Sequence, residues 1–251
     1  MEGRDIVART NFDPALSPPL NVTMLIGGQH GDEPATVDLI ESFEMPRSPV
    51  VILSRANPDG LAARSRYNAR GVDPNRNCDR EWSADSEEPP GSAPWSEPES
   101  RAIRDAILKF LPAKIVSLHW ALAEVDADGA QSTSLAVAMW EAMTETQRSV
   151  YRLRLTENGD VEPGLQIRED ACPGSLGQWC GFGLRYPDGS SPAMVTLELP
   201  YDPFLARPAV LPEDHVKTVQ ESWEREPGKY LSGVRPAVHA MLRAACGHTG
   251  R

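Results

Sequence analysis

Short apolar runs separated by helix-like segments constrain the fold of this chain more than any other feature of its sequence. The runs occupy residues 22–26, 50–54, 114–118 and 193–199. Between the first two, Val37, Ile40 and Phe43 recur at helical spacing after Pro34, a residue suited to a first helical turn. Continuous apolar runs of this length are typical of strands buried on both faces. The alternation predicts an α/β sheet, in which ligands bind beyond the carboxyl ends of the strands.

The remaining segments predict further elements of the same domain. Ser96-Glu97-Pro98-Glu99 has the pattern of a capping box, and an amphipathic helix through Ile103, Ile107 and Phe110 should follow it. Helical patterns also cover residues 132–144, 214–224 and 231–245. Residues 147–170 are ambiguous, with a possible strand at 150–155, and Asn57-Pro58-Asp59-Gly60 predicts a turn.

Two polar stretches interrupt this regular pattern. Residues 64–80 are rich in arginine and lack periodicity, which predicts a long loop. Residues 83–98 are rich in Pro, Ser, Glu and Gly and are the best candidate for a linker. Because a helix start follows directly, we interpret them as a surface excursion within one domain that covers residues 1–251.

The charge balance excludes some classes of partner. The chain has 36 acidic and 25 basic residues, a formal net charge of −11, which argues against nucleic-acid or anionic-membrane binding. The opening MEGRDIVARTNFD lacks the apolar core of a secretory signal, so we expect a cytoplasmic protein. The four cysteines form no C-x-x-C pair and are expected as thiols; a Cys172–Cys180 bridge is the alternative.

Two histidines and a glutamate suggest a metal site. His30 and Glu33 lie three residues apart on the turn between the first strand and the first helix, where both can reach one zinc ion. His119 follows the strand at 114–118, where a loop would leave the sheet, and could supply a third ligand. The alternative is that His119 is a core histidine bonded to a neighbouring carbonyl.

Glu198 is a lone carboxylate within the apolar run at 193–199. Burying a charge without a partner is costly, so its position needs an explanation. Beside a metal-activated water it could act as general base and later protonate a leaving amine. The alternative is an ion pair with an arginine of the loop at 64–80.

That loop carries Arg66, Asn75 and Arg76. Planar guanidinium groups can hold a carboxylate through two hydrogen bonds or stabilise an oxyanion. By composition alone, the same segment would be a solvated basic loop.

The order of these motifs resembles that of the carboxypeptidase A-like zinc metallopeptidases. The matching segments are GGQHGDEPA at 27–35, NPDG at 57–60, RYNARGVDPNRN at 66–77, SEPES at 96–100, SLH at 117–119 and TLELP at 196–200. The compact arginine loop and PGSLGQW at 173–179 are most similar to the bacterial murein peptide amidase branch. Members of that branch cleave the γ-D-glutamyl-diaminopimelate bond.

The resemblance implies a fold and a cofactor. The implied fold is a twisted mixed β-sheet with helices on both faces, and MEGRDI at 1–6 is similar to the family's opening strand. The implied cofactor is one zinc ion per chain, bound by His30, Glu33 and His119.

The resemblance also implies an activity. Glu198 would be the general base and Arg66 would polarise the scissile carbonyl, while Asn75 and Arg76 would hold the terminal carboxylate of a small peptide. The expected reaction is zinc-dependent hydrolysis of an amide bond next to a free C-terminal carboxylate.

Three features of the sequence depart from the family pattern. Cys78 and Asp79 follow the NRN motif in place of an aromatic residue and proline, and the bulky Trp120 follows His119. Tyr186 is the only tyrosine in the stretch before Glu198 where many carboxypeptidases place a mobile tyrosine.

Two other interpretations share these residues. Deacylases of the aspartoacylase and succinylglutamate desuccinylase group have a similar ligand arrangement, but they resemble longer chains with an added β domain. A catalytically silent protein could use the same pocket to hold the carboxyl terminus of a peptide, and such a protein need not hold zinc.

Overall fold

The apolar runs of the sequence form the middle of one mixed β-sheet. The computed structural model describes residues 3–155 and 172–248. Its strands are β1 (Arg9–Thr10), β2 (Thr23–Ile26), β3 (Val50–Leu53), β4 (Lys114–Asp128), β5 (Arg152–Arg154) and β6 (Ala193–Pro200). Its α-helices are α1 (Pro34–Glu41), α2 (Pro58–Ala63), α3 (Pro98–Phe110), α4 (Thr133–Glu141), α5 (Glu145–Arg148), α6 (Leu176–Phe182), α7 (His215–Arg225) and α8 (Pro227–Gly247). Short 3₁₀ turns cover Pro74–Arg76 and Ala130–Ser132.

The sheet is mixed because its first edge strand runs against its neighbour. β1 pairs antiparallel with β3, whereas β3, β2 and the start of β4 are parallel to one another. The loops that follow β2 and β3 therefore leave the same edge of the sheet. There the backbone N–H of Gly31 donates to the carbonyl of Ser65 at 2.9 Å, so the first loop lies directly against the chain that follows α2.

β4 pairs with β6 twice, and this pairing organises the centre of the molecule. Residues 114–121 pair with β6 in the same chain direction, from Lys114 opposite Ala193 to Ala121 opposite Pro200. Residues 124–128 then pair with β6 in the opposite direction, from Glu124 opposite Glu198 to Asp128 opposite Met194. The chain reverses near Ala123, whose φ of 55° is in the left-handed region. The prediction that a loop begins at His119 was wrong, because the ladder continues through it. As a result, Glu198 lies opposite both His119 and Glu124.

Helices cover both faces of the sheet, so successive residues of one strand enter different cores. Leu25 of β2 shares a core with residues of α1, α4 and α8, whereas Met24 and Ile26 share one with residues of α3 and α6. Burial on both sides explains why the runs lack polar–apolar alternation. The predicted α/β class, with a mixed sheet between helices, is confirmed.

The start of α3 differs from its prediction. The capping box predicted at 96–99 is wrong, because the N-cap of α3 is Glu97 and not Ser96, and the Glu97 side chain makes no cap hydrogen bond. Instead Glu97 and Glu99 each accept a hydrogen bond from Nδ2 of Asn68, at 2.8 and 2.9 Å. Both carboxylates are buried, and they attach the arginine loop to the first turn of α3.

Two further predictions need correction. The opening strand expected at MEGRDI is absent from residues 3–8, and the first strand is β1 at Arg9–Thr10. The turn expected at 57–60 is the start of α2, because Oδ1 of Asn57 caps that helix by accepting from the N–H of Gly60 at 2.9 Å.

Other predicted segments have the expected character. The helices predicted at 132–144, 214–224 and 231–245 correspond to α4, α7 and α8, and β5 lies within the possible strand at 150–155. Residues 156–170 of the ambiguous segment lie outside the described residues. The excursion at 83–98 packs on the arginine loop, where the N–H of Asp73 donates to the carbonyl of Pro89 at 2.9 Å.

Cys180 is a free thiol, so the Cys172–Cys180 bridge is not formed. Within residues 3–155 and 172–248, no helix is both long and apolar enough to cross a membrane.

Candidate active site

Three buried side chains from two parts of the chain converge at one edge of the sheet. His30 and Glu33 lie on the loop between β2 and α1, and His119 lies within β4. The loop approaches α2 so closely that a Cβ on Gly31 would lie 1.9 Å from the carbonyl carbon of Gly60. Only glycine permits this approach, which holds His30 and Glu33 at the sheet edge. The structure thus brings together the three predicted metal ligands.

The distances among these side chains fit a zinc ion. Nδ1 of His30 lies 2.8 Å from Oε1 of Glu33 and 3.3 Å from Nδ1 of His119. Nδ1 of His119 lies 3.2 Å from Oε2 of Glu33. Tetrahedral zinc with ligand bonds of about 2.0–2.1 Å separates neighbouring ligand atoms by roughly 3.3 Å. Two imidazole nitrogens and a carboxylate are also a donor set that zinc accepts in sites with an open fourth position.

The charges of the three side chains depend on one another. Burial lowers the pKa of His30, but the carboxylates of Glu33 and Asp73 outweigh it and raise this pKa to about 10. Burial raises the pKa of Glu33, but the two histidines bring it down to about 2. The pKa of His119 is lowered, chiefly by burial. Without a metal ion, a proton on His30 balances the carboxylates of Glu33 and Asp73, and a metal ion bound to His30 would displace that proton.

Asp73 is a member of the site that the sequence analysis did not single out. Its side chain is fully buried, and its Oδ1 lies 3.1 Å from Nε2 of His30. Its Oδ2 lies 2.8 Å from Nη2 of Arg66. Burial raises the pKa of Asp73, but His30 and Arg66 hold it well below its usual range. Accepting the Nε2 proton leaves Nδ1 of His30 free to bind a metal, a common arrangement around histidine ligands. The sequence signal that could have identified Asp73 is its position directly before the turn that carries Asn75.

Glu198 lies beside this cluster. It is opposite His119 in the β4–β6 ladder, and its Oε2 is buried without a hydrogen-bond partner among the described residues. Burial, followed by the negative charges of Glu33 and Glu124, raises the pKa of Glu198 to about 8. The alternative ion pair with a loop arginine is not found within the described part of the chain. Glu198 therefore lines the same cavity as the three clustered side chains.

The predicted loop residues line the same cavity, whose volume is about 200 Å³. Arg66 lies between Asp73 and the three clustered metal-ligand candidates, and its Nη1 lies 3.4 Å from Nδ1 of His30. Oδ1 of Asn75 accepts a hydrogen bond from the N–H of Leu176 at 2.9 Å, which leaves the amide NH₂ of Asn75 as its donor toward the cavity. Arg76 donates from Nη1 to the carbonyl of Asn75 at 2.8 Å, and both residues are partly exposed.

The segment at 173–179 explains how Arg76 is supported. Gly174 has a φ of +70°, and a Cβ there would lie 2.3 Å from the carbonyl oxygen of Arg76. Ser175 caps α6 by accepting from the N–H of Gln178 at 3.1 Å. The turn at Gly174 and the start of α6 therefore pack closely against the arginine loop at Asn75 and Arg76.

The three departures from the family pattern have separate structural roles. Tyr186 lies away from the cavity and donates its hydroxyl to the carbonyl of Pro112 at 2.8 Å. Cys78 is buried in the core beneath α3 and α6. Trp120 is buried but lines the cavity, and its Nε1 donates to the hydroxyl of Tyr230 at 2.7 Å.

Sequence comparison identifies a protein family and relatives that this chain resembles. Residues 28–121 match the family model of zinc carboxypeptidases. Murein peptide amidase A of Escherichia coli K12 is 29% identical over 176 residues, covering 62% of this chain and 65% of that protein. The matched region therefore spans slightly less than two thirds of the length of that relative. The expected resemblance to zinc carboxypeptidases, and to the murein peptide amidases among them, is confirmed.

Solved structures share the fold. The murein-tripeptide amidase MpaA from Escherichia coli O157 aligns with a TM-score of 0.55 and 23% identity, over 90% of this chain and 84% of that one. Carboxypeptidase A from Helicoverpa armigera aligns with a TM-score of 0.61 and 20% identity, over 100% of this chain and 67% of that one. At these identities the likeness establishes the architecture.

Proposed function

We propose that this chain is a zinc-dependent hydrolase that cleaves an amide bond next to a free C-terminal carboxylate in a small peptide. The supporting observation is that one cavity is lined by the His30, Glu33 and His119 cluster, by Glu198 and by the arginine loop. We expect one zinc ion per chain on the three clustered side chains. Bound zinc would lower the pKa of a coordinated water and polarise a carbonyl.

The remaining residues would have distinct roles in this reaction. Glu198 would take a proton from the attacking water and pass it to the leaving amine. Arg66, held by Asp73, would stabilise negative charge on the carbonyl oxygen. Asn75 and Arg76 would bind the substrate carboxylate through charge-assisted hydrogen bonds.

The murein peptide is our first candidate substrate. The sequence similarity to a murein peptide amidase supports a murein peptide as the substrate, and the family resemblance implies the γ-D-glutamyl-diaminopimelate bond as the scissile bond. Ordinary C-terminal dipeptides are the second candidate. The single-domain extent over 1–251 and the cytoplasmic location stay predictions.

The two alternative functions make different predictions. Deacylases of the aspartoacylase group were expected to carry a β domain after the catalytic glutamate, whereas the described residues after β6 form the helices α7 and α8. A silent binding protein would retain peptide without hydrolysing it.

A substrate panel tests the proposal directly. The purified protein, loaded with zinc, is assayed against γ-D-glutamyl-diaminopimelate, ordinary C-terminal dipeptides and N-acyl amino acids, with metal content measured in parallel. We expect one zinc per chain and hydrolysis of a peptide with a free carboxyl terminus. Cleavage of N-acyl amino acids alone would favour the deacylase function, and peptide binding without hydrolysis would favour the silent protein. Failure to bind zinc would refute the metal site.

A further inference from the structure

Trp120 lies between the catalytic cavity and a second cavity. The second cavity has a volume of about 140 Å³, and its walls include Asp32, Trp120 and Trp223. Among the described residues, Trp120 is the one that lines both cavities. His30 and Glu33 line the first cavity, whereas Asp32, which lies between them in the chain, lines the second. The ligand loop and Trp120 therefore form the boundary, and Trp120 contributes its largest side chain.

Several contacts fix the position of Trp120. Its side chain is buried, and its Nε1 donates to the hydroxyl of Tyr230 at 2.7 Å. That hydroxyl in turn donates to the carbonyl of Pro200 at 2.6 Å. The indole also packs edge to face against Trp223 and Tyr230, with ring centroids 5.9 and 5.5 Å away. A ligand cannot easily displace a ring held in this way, because moving it would break hydrogen bonds and leave a void in the core.

Trp120 and the carboxylate-binding residues belong to opposite faces of the sheet. Asn75 and Arg76 pack against the start of α6, where Leu176 belongs to the core that also includes residues of α3. Trp120 belongs to the core on the other face, together with residues of α8. The metal-ligand cluster lies at the edge of the sheet between them. A peptide with its carboxylate at Asn75 and Arg76 and its reacting bond at the cluster therefore extends its acyl part toward Trp120.

We propose that Trp120 limits the size of the acyl part of the substrate by closing the second cavity to it. The inference rests on the proposed hydrolase function and narrows its substrate class to peptides whose residue before the scissile bond carries a small group, or none, on its nitrogen. A smaller side chain in place of Trp120 joins the two cavities and admits a larger acyl part. Trp120 is thus a specificity-determining residue and takes no part in the chemical step.

A matched pair of dipeptides that differ in acyl size tests the proposal. The zinc-loaded protein is assayed with γ-D-glutamyl-diaminopimelate acetylated on the glutamyl nitrogen and with the same dipeptide benzoylated there. The two substrates have the same charge, and the benzoyl group is the larger. We expect kcat/KM to be about tenfold or more higher for the acetyl dipeptide, because overpacking against a fixed wall costs about this much.

Variants of the two tryptophans identify the wall responsible. In Trp120→Leu the ratio of acetyl to benzoyl kcat/KM should fall close to one. Trp120→Phe, which keeps an aromatic ring in the core, should give an intermediate ratio and carries the test if Trp120→Leu does not fold. Trp223→Leu is the matched control, because Trp223 lines the second cavity but not the catalytic cavity. It enlarges the second cavity while Trp120 keeps its hydrogen bond to Tyr230, so it should keep the wild-type ratio.

Binding gives the same comparison without turnover. By calorimetry, zinc-loaded Glu198→Gln should bind the acetyl dipeptide about tenfold more tightly than the benzoyl dipeptide, and Glu198→Gln/Trp120→Leu should bind both equally. If wild type hydrolyses the two dipeptides equally well, or if Trp223→Leu loses the ratio as Trp120→Leu does, the role of Trp120 is refuted and the hydrolase function stands. If Trp120→Leu removes a size preference in binding but no peptide is hydrolysed by wild type, the role of Trp120 is supported and the hydrolase function fails.

Discussion

Single residues at this site acquire their chemistry from their neighbours. Glu198 would be an ordinary acid on the surface, but burial and the carboxylates of Glu33 and Glu124 raise its pKa to about 8. His30 binds Asp73 through Nε2, which leaves Nδ1 directed at Glu33 and His119. At the residue scale, the proposed reaction therefore depends on which charges lie within a few ångströms.

The variant Glu198→Gln isolates the proton transfer. It keeps the shape of the side chain but removes the base, so we expect kcat to fall by roughly 10²–10⁴-fold. Zinc content by elemental analysis and the circular dichroism spectrum should match wild type. Glu213→Gln, an exposed change outside the cavity, serves as the control. Equal rates for Glu198→Gln and wild type would assign Glu198 a purely structural role.

The variant Arg76→Lys tests recognition of the substrate carboxylate. Lysine keeps the charge but loses the planar fork, so kcat/KM should fall by roughly 10- to 150-fold. Amidating the substrate carboxylate should slow wild type severely and Arg76→Lys much less, because the variant has already lost that contact. Cleavage of the amidated and free peptides at equal rates by wild type would show that Arg76 does not bind a carboxyl terminus.

At the scale of elements, the arginine loop is held in place by buried polar contacts. Asn68 donates to Glu97 and Glu99 at the start of α3 and accepts through Oδ1 from the N–H groups of Arg70 and Val72, at 2.9 and 3.0 Å. The Asn68 side chain therefore connects two parts of the arginine loop to each other and connects the loop to the start of α3. The positions of Arg66, Asn75 and Arg76 follow from this attachment.

Replacing Asn68 with alanine should release the loop. It leaves the buried carboxylate of Glu99 without a described donor and removes one of the donors to Glu97, so we expect the free energy of unfolding to fall by about 2–4 kcal/mol. Urea denaturation gives this value. Arg70→Ala removes only the exposed partner of Glu97, 3.6 Å away, and should cost less than about 1 kcal/mol. Equal effects of the two substitutions would show that the buried contacts of Asn68 do not hold the loop.

At the scale of the whole molecule, the candidate metal ligands link separate parts of the sheet. His30 and Glu33 follow β2, whereas His119 belongs to β4 and is hydrogen-bonded into the ladder with β6. A metal ion bound by all three would hold these parts together in the folded state alone, and so would stabilise it.

Removal of zinc should therefore lower the melting temperature. With free zinc at about 1,000 times its Kd, the stabilisation is about 4 kcal/mol, or roughly 8–16 °C for a chain of this size. Differential scanning calorimetry with zinc and with a chelator measures the difference. Glu198→Gln should keep the shift and His119→Ala should lose it. An undiminished shift in His119→Ala would show that zinc stabilises the protein from another site.

The sequence by itself determined β2, β3, β6, the first part of β4, most helices and a set of seven candidate residues. Apolar runs buried on both faces and proline at helix starts are local signals, and they can be read without knowing what packs against them. All seven candidates line one cavity, although their roles stay predictions.

Only the tertiary structure decided how these parts meet. The reversal of β4 depends on its pairing with β6, which comes about 70 residues later in the chain. Glu99 was predicted to complete a capping box with Ser96, because its buried partner Asn68 is remote in sequence. Asp73 likewise acquires its role from His30 and Arg66, which lie far from it in the chain or across the loop. Electrostatic and hydrogen-bonding partners are chosen by distance in space, which a local pattern of residues does not contain.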